Sequence, residues 1–281
     1  MTSTLFAAPT AETLAQQHPE WRPWLSLLDV TSEEAAVPAW SDAIPAQPRD
    51  TPPLLAGCVL AIERGVAERW LRRLFAASGV EALREGALRI DPLSILEAAV
   101  NLDLARLGAL AREAQAPADA FCAVAPLAAM PWLEACGRRW ASLAAAESGW
   151  CPVCGAWPVL AEARGLEGQR RLRCARCGGD WLAQWLTCPF CAIDDHTRLT
   201  SLVAEGLGES RKIEACRECM VYIKTVTTLA AADVATLRLL DLSTVELDLV
   251  ALGRGFSRPA GGGHPLGVTV IERPARRFWR R

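Results

Sequence analysis

The chain lacks a surplus of either charge: its 281 residues carry 30 lysines and arginines against 32 aspartates and glutamates, a formal net charge of −2. No overall basic field therefore draws it to nucleic acid or to an anionic membrane, although a local basic patch stays open. No stretch reaches the roughly 20 charge-poor apolar residues that a membrane helix needs. The first residues, MTSTLFAAPTAETLAQQHPEW, have neither the basic nor the sustained apolar region of a secretory signal. There is no P-loop, no glycine-rich fingerprint after a strand and no Ser/His/Asp arrangement. The three histidines, His18, His196 and His264, share no catalytic spacing. These absences predict a soluble protein in a reducing compartment, without membrane insertion.

What the chain does have is cysteine. Eight of its 11 cysteines fall in four CxxC pairs. Disulfide frameworks belong mostly to short secreted chains, whereas this spacing in a reducing compartment is a metal-ligand pattern. A CxxC loop turns both sulfurs to one side, and two facing loops give a tetrahedron of thiolates that suits zinc or a single iron. Cys151, Cys154, Cys174 and Cys177 form one repeat of CxxC, spacer, CxxC; Cys188, Cys191, Cys216 and Cys219 form a second. Sequential pairing is preferred because it repeats one supersecondary unit. The alternative joins Cys174/Cys177 to Cys188/Cys191 and leaves Cys151/Cys154 to meet Cys216/Cys219. A closed four-sulfur site has no open position for chemistry, so structural metal is the plainest role.

In the first repeat, glycine follows the second cysteine of each pair, at Gly155 and Gly178. Glycine tolerates positive φ and lets backbone N–H groups turn toward sulfur. Ala192 and Met220 hold those positions in the second repeat, so its loops are expected to be less ideal and its site more labile. Arg164, Arg170, Arg171, Arg173 and Arg176 beside the first site, and Arg211, Lys212 and Arg217 beside the second, either offset the metal–thiolate charge or form a solvated hairpin face. Cys58, Cys122 and Cys136 sit in apolar contexts and read as small core residues. His196, five residues after Cys191, is either near the second site or a loop histidine. Asp241, Glu246 and Asp248 read as a helix surface or a partner-binding face. Most tryptophans should be core anchors, with Trp181 and Trp185 packing the two knuckles together.

The hydrophobic share of 51% allows a sizeable core, and the length suggests one to three domains. Helices are predicted near residues 10–30, over Leu54–Ala77 with a stop at Gly79, over Leu93–Glu113 with Asp91–Pro92 as its start, over Met130–Glu147, and over Asp233–Gly253. The proline-rich stretch from Val37 to Pro53 reads as a loop or linker. From Trp150 to Tyr222 the pattern is one of small β-hairpins around metal. The tail from Gly255, ending in RRFWRR, is expected to be extended and poorly ordered unless docked.

Read in order, WCPVCGAWPVL, RRLRCARCGGDWLAQWLTCPFC, KIEACRECMVYIKTV and ADVATLRLLDLSTVELDLVALGRGFSR resemble the FdhE family of formate dehydrogenase accessory proteins. The resemblance covers Trp150 to Arg258. Where the family has an asparagine–proline–phenylalanine motif after the last helix, this chain has His264–Pro265–Leu266. The resemblance implies a cytoplasmic maturation factor, not an enzyme, that binds the catalytic subunit of respiratory formate dehydrogenase. It implies iron in two rubredoxin-like sites, with zinc as a possible substitute. The implied ligands are Cys151, Cys154, Cys174 and Cys177, then Cys188, Cys191, Cys216 and Cys219. The expected fold class is α+β: a mainly helical domain over 1–147, then rubredoxin-like or zinc-ribbon metal domains over 148–187 and 188–281, the last with a C-terminal helix and tail. Homo-oligomer formation stays open. A zinc-ribbon nucleic-acid binder and a rubredoxin-type electron carrier are the alternatives. The former draws on the arginine-rich hairpin and terminal RRFWRR, and its phosphate binding would fall steeply with salt.

Overall fold

The computed structural model describes residues 8–86, 89–143, 149–203 and 210–274. The terminal RRFWRR and the end of the helix expected to reach Glu147 lie outside them. The fold is α+β. Its helical part contains α1 (Ala11–Gln17), α2 (Arg22–Glu34), α3 (Pro38–Ser41), the strand β1 (Val59–Ile62), α4 (Arg64–Ala77), α5 (Glu81–Gly86) and α6 (Pro92–Asn101). It continues through α7 (Leu104–Glu113), α8 (Ala118–Val124) and α9 (Met130–Trp140). The cysteine-rich part contains β2 (Leu160–Arg164), β3 (Gln169–Arg173), β4 (Asp180–Leu182), β5 (Leu199–Leu202), β6 (Arg211–Cys216) and β7 (Tyr222–Thr228), then α10 (Val234–Leu242) and α11 (Val245–Gly253). A last strand, β8, covers Thr269–Glu272.

These elements form two compact units that interleave along the chain. One comprises Met1–Pro19, Asp50–Leu54 and Gly137–His264; the other comprises Glu20–Arg49, Leu55–Cys136 and Pro265–Arg281. The second of these units is a helical core with tryptophans at its centre. Trp40, Trp70 and Trp132 are buried. Each satisfies its indole N–H, donating to Glu34 Oε1 at 2.9 Å, to the Ala128 carbonyl at 2.9 Å and to the Ala43 carbonyl at 3.1 Å respectively. That partnering is what allows a ring with a polar handle to sit in a core. Phe75 and Phe121 stack with centroids 5.3 Å apart, an arrangement worth about 1 kcal/mol beyond area burial.

Local chemistry corrects several of the helix expectations. The region over Leu54–Ala77 is not one helix, because Val59–Ile62 leaves it to pair in parallel with Thr269–Glu272. The same pairing docks the tail. Asp91 caps α6 by accepting from Ser94 N, with Pro92 at the first position, but the expected helix over Leu93–Glu113 breaks. Leu102 adopts φ 50° and Asp103 recaps α7 by accepting from Arg106 N. An Asp that can restart a helix wins over continuous apolar periodicity. Pro38–Ser41 forms one helical turn within the proline-rich stretch. The apolar run Ala118–Leu143 is long enough by composition to cross a membrane, but 78% of its most apolar window is buried.

In the cysteine-rich unit all six strands form one sheet of order β4-β3-β2-β7-β6-β5. Each repeat supplies one half. The halves meet where β2 pairs in parallel with β7, Leu160 opposite Lys224 through Arg164 opposite Thr228. The last helix expected over Asp233–Gly253 is two helices, α10 capped by Asp233 and α11 starting after Thr244. Leu237 and Leu240 pack with Leu160 and Val226, while Leu247, Ala251 and Phe256 pack with Ile213 and Tyr222. Thus α10 covers the β2–β7 seam and α11 covers β6 and β7.

Candidate metal centres

Each CxxC pair sits on a tight loop whose backbone closes on itself. Cys151 N donates to the Ala156 carbonyl and Gly155 N to the Cys151 carbonyl, both at 2.8 Å. The loop at Cys174 repeats this with Gly179 and Gly178, and the loop at Cys188 with Ile193 and Ala192. At the fourth, Cys216 N donates to Val221 O at 2.9 Å. All four loops place a residue at positive φ one position before the loop closes: Gly155 at 70°, Gly178 at 76°, Ala192 at 60° and Met220 at 57°. Glycine is free to do so in the first repeat. In the second, Ala192 and Met220 are held in a conformation that costs side-chain-bearing residues roughly 1–2 kcal/mol each.

The sulfurs converge in sequential sets. Cys151, Cys154, Cys174 and Cys177 have Sγ atoms all within 4.8 Å of one another, and so do Cys188, Cys191, Cys216 and Cys219. In the first set the Cys151–Cys177 and Cys154–Cys174 sulfurs are 3.4 and 3.5 Å apart. In the second the Cys188–Cys219 and Cys191–Cys216 sulfurs are both 3.7 Å apart. A disulfide would bring them to about 2.05 Å. A tetrahedron of sulfurs about 2.3 Å from a central zinc has edges of roughly 3.8 Å, so both sets fit a single ion with four thiolates. Backbone N–H groups of Phe190 and Cys191 reach Cys188 Sγ, those of Glu218 and Cys219 reach Cys216 Sγ, and that of Cys177 reaches Cys174 Sγ. Gly179 has a second use here, because a Cβ at that position would lie 2.7 Å from Cys151 Sγ.

Four crowded thiols cannot all ionise by themselves. Burial pushes Cys151 well above the usual thiol range, and hydrogen bonding among the sulfurs, led by Cys151, does the same to Cys177. The same hydrogen bonds, from Cys151, Cys154 and Cys177, push Cys174 well below it. In the second set burial raises Cys188 and pushes Cys219 up to about 11. Burial also opposes ionisation of Cys216, but the N–H groups of Cys219 and Glu218 bring it below the usual range. A cation that replaces the protons removes the conflict, which is why such sites couple metal binding to deprotonation.

No family model matches the chain. It is 36% identical over 113 residues to the FdhE homologue of Stutzerimonas stutzeri (strain A1501), and 34% identical over 110 residues to that of Aquifex aeolicus (strain VF5). These matches cover 39% and 38% of this chain, and 36% and 38% of the relatives' own lengths. The crystal structure of FdhE from Pseudomonas aeruginosa superposes over 90% of this chain and 96% of that one, with a TM-score of 0.55 and 21% identity. The chain spans little more than a third of the length of the curated relatives it matches, and it shares its fold with that crystal structure.

The segments that resemble FdhE outside the CxxC pairs meet at one buried ionic cluster. Lys224 of β7 is fully buried; its Nζ lies 2.7 Å from Asp241 Oδ1 and 2.8 Å from Asp248 Oδ2. Arg258 lies 2.8 Å from each of these carboxylates, and Tyr222 donates its hydroxyl to Asp248 Oδ1 at 2.5 Å. The FdhE-like strand and helices are therefore pinned together by charge. Asp241 and Asp248 are neither plain helix surface nor a free acidic face. Glu246 stays half exposed, 3.9 Å from Arg211.

Most of the basic residues flanking the two sulfur sets are paired with carboxylates. Arg173 is buried with Glu162, which Arg164 also engages, and Arg164 and Arg171 both pair with Asp180. Arg170 reaches across from β3 to Glu214 of β6 at 2.8 Å, and Lys212 lies 3.6 Å from the same carboxylate. Trp181 is buried, whereas Trp185 is half exposed and lies over both Arg170 and Lys212, one from each repeat. Knuckle-to-knuckle contact also comes from Trp157 edge-on to Phe190, centroids 5.6 Å apart, and from Gly149, where a Cβ would overlap Pro189 O at 1.6 Å. His196 is exposed and lines a cavity of about 260 Å³ that also touches Cys188 and Cys216. Cys136 is buried and Cys58 and Cys122 half buried, none in a sulfur cluster.

Proposed function

We propose that the chain is a cytoplasmic accessory protein for the maturation of respiratory formate dehydrogenase, binding the immature catalytic subunit and carrying a metal ion in each four-cysteine set. Cys151, Cys154, Cys174 and Cys177 are the ligands of one ion, and Cys188, Cys191, Cys216 and Cys219 of the other. The metal is iron, with zinc as a substitute. The convergence of eight sulfurs into two tetrahedral sets on one sheet, in a chain similar to FdhE homologues, carries this reading. When bound, the metal supplies a rigid centre of formal charge −2 for a divalent ion, and with iron a one-electron couple. The chain's own residues hold the thiolates in place and aim N–H groups at them. A closed four-thiolate site leaves no coordination position for a substrate, in keeping with a factor that is not an enzyme. The pairing of the hairpin arginines with carboxylates weighs against the nucleic-acid alternative.

Anaerobic purification with metal analysis and recovery of bound proteins tests the proposal. Two equivalents of metal and co-purification of a formate dehydrogenase catalytic subunit are expected. A metal-free chain with oxidised cysteines, or failure to bind that subunit under strictly anaerobic conditions, overturns it. Visible absorbance distinguishes iron from zinc.

A further inference from the structure

We infer that the two four-cysteine centres are unequal in function: the first is a permanent staple, and the second exchanges its metal with solution, opening at Cys191. The inference rests on the reading that both sets hold metal.

Two independent features point the same way. The first is access. Cys151, Cys154, Cys174 and Cys177 are all buried, whereas Cys191 is exposed and Cys219 half exposed. The first set is also wrapped by its own unit. Val234 lies 3.5 Å from the position a Gly178 Cβ would take, Arg238 Nε donates to the Ala175 carbonyl at 2.9 Å, and the Gly179 backbone closes on Cys151 Sγ. The second set is approached from another side by the cavity of about 260 Å³ against Cys188 and Cys216, with apolar walls from Phe190, Leu199 and Ile223.

The second feature is backbone strain. Loops closed by the same hydrogen bond from the first cysteine's N–H place glycine at positive φ in the first set and Ala192 and Met220 in the second, at 60° and 57°. Non-glycine residues persist there only while something over-determines the conformation. A metal bound to the four sulfurs supplies that constraint, so opening of the second site relieves strain that the first site does not hold.

Exchange moves no electrons. An incoming thiolate or carboxylate donor forms a bond to the metal as the Cys191 Sγ–metal bond breaks, and the released thiolate takes a proton from water. Repetition at Cys219, and then at Cys188 and Cys216, frees the ion, while the first centre keeps the shared sheet folded.

The full chain, purified anaerobically and loaded with two equivalents of zinc, tests this when mixed with excess 4-(2-pyridylazo)resorcinol. Zinc should leave in two phases of one equivalent each, the faster by about ten-fold or more, equivalent to about 1.4 kcal/mol in barrier. Iodoacetamide pulses read by mass spectrometry should label Cys191 and Cys219 during the fast phase and Cys151–Cys177 only in the slow one. The Ala192→Gly/Met220→Gly variant should slow the fast phase, and an unchanged rate overturns the part assigned to strain. Two equivalents leaving together, or first labelling at the first set, overturns the inference while leaving the metal reading intact. A chain that takes up no zinc overturns the metal reading itself.

Discussion

The ammonium of Lys224 lies 2.8 Å from the Asp248 carboxylate with no part of the lysine side chain exposed to solvent. Asp241 and Arg258 complete the charge balance. Removing one partner of such a cluster leaves the others desolvated and unpaired. Lys224→Met should destabilise the metal-loaded chain by about 3 kcal/mol in urea unfolding. A loss below about 1 kcal/mol would show that the helices are held by apolar packing alone.

Acid should weaken the same latch. Burial opposes ionisation of Asp248, but Lys224 and Arg258 beside it bring its pKa below the usual carboxylate value. A depressed folded-state pKa means stability that is present above the unfolded value of about 3.9 and lost as pH falls through the lower folded value. Unfolding of an Asp248→Asn variant should therefore show a smaller loss between about pH 4 and pH 2 than the parent. Identical acid limbs would rule the cluster out as a source of that dependence.

Arg170 and Glu214 tie the two repeats across the sheet. A double-mutant cycle with Arg170→Gln and Glu214→Gln should give a coupling energy of about 1–3 kcal/mol. Additive effects would mean that the repeats are joined by β2–β7 pairing without help from this contact.

Gly155 needs both its φ of 70° and its missing side chain, since a Cβ would lie 2.6 Å from the His264 carbonyl oxygen. Gly155→Ala should cost about 1–3 kcal/mol in thermal or urea unfolding. Ala192→Gly, at the matching position of the second repeat, should gain about 0.5–1 kcal/mol, the relieved left-handed cost less the extra entropy of glycine. Equal and opposite effects are not expected, and a stabilising Gly155→Ala would refute the assignment.

The convergence of the eight sulfurs was legible because the pattern is local: a CxxC loop needs only four residues and a turn. Gly155 and Gly178 were legible for the same reason, as was the weaker design at Ala192 and Met220. What escaped were partnerships made at long range. Asp241 and Asp248 look like a polar helix face until β7 brings Lys224 beneath them. Val59–Ile62 carries helix-compatible periodicity, and only the distant Thr269–Glu272 makes it a strand. The hairpin arginines looked available to sulfur or solvent, but Glu162, Asp180 and Glu214 take them first. Within single elements, helix breaks escaped: Asp103 caps a new helix, and at Ser243–Thr244 both hydroxyls donate back to carbonyls of α10, where apolar spacing alone would continue the helix.

The parallel seam between β2 and β7 has a temporal consequence. All four sulfurs of the first set are on hand once Cys177 is synthesised, yet the open flank of β2 must wait until Thr228 has been made. During elongation the earlier ribbon exposes a bare strand edge, a template for wrong pairing. The later ribbon therefore acts as its lid at birth, and early metal capture between Cys151 and Cys177 would keep that half-built edge rigid until its neighbour arrives.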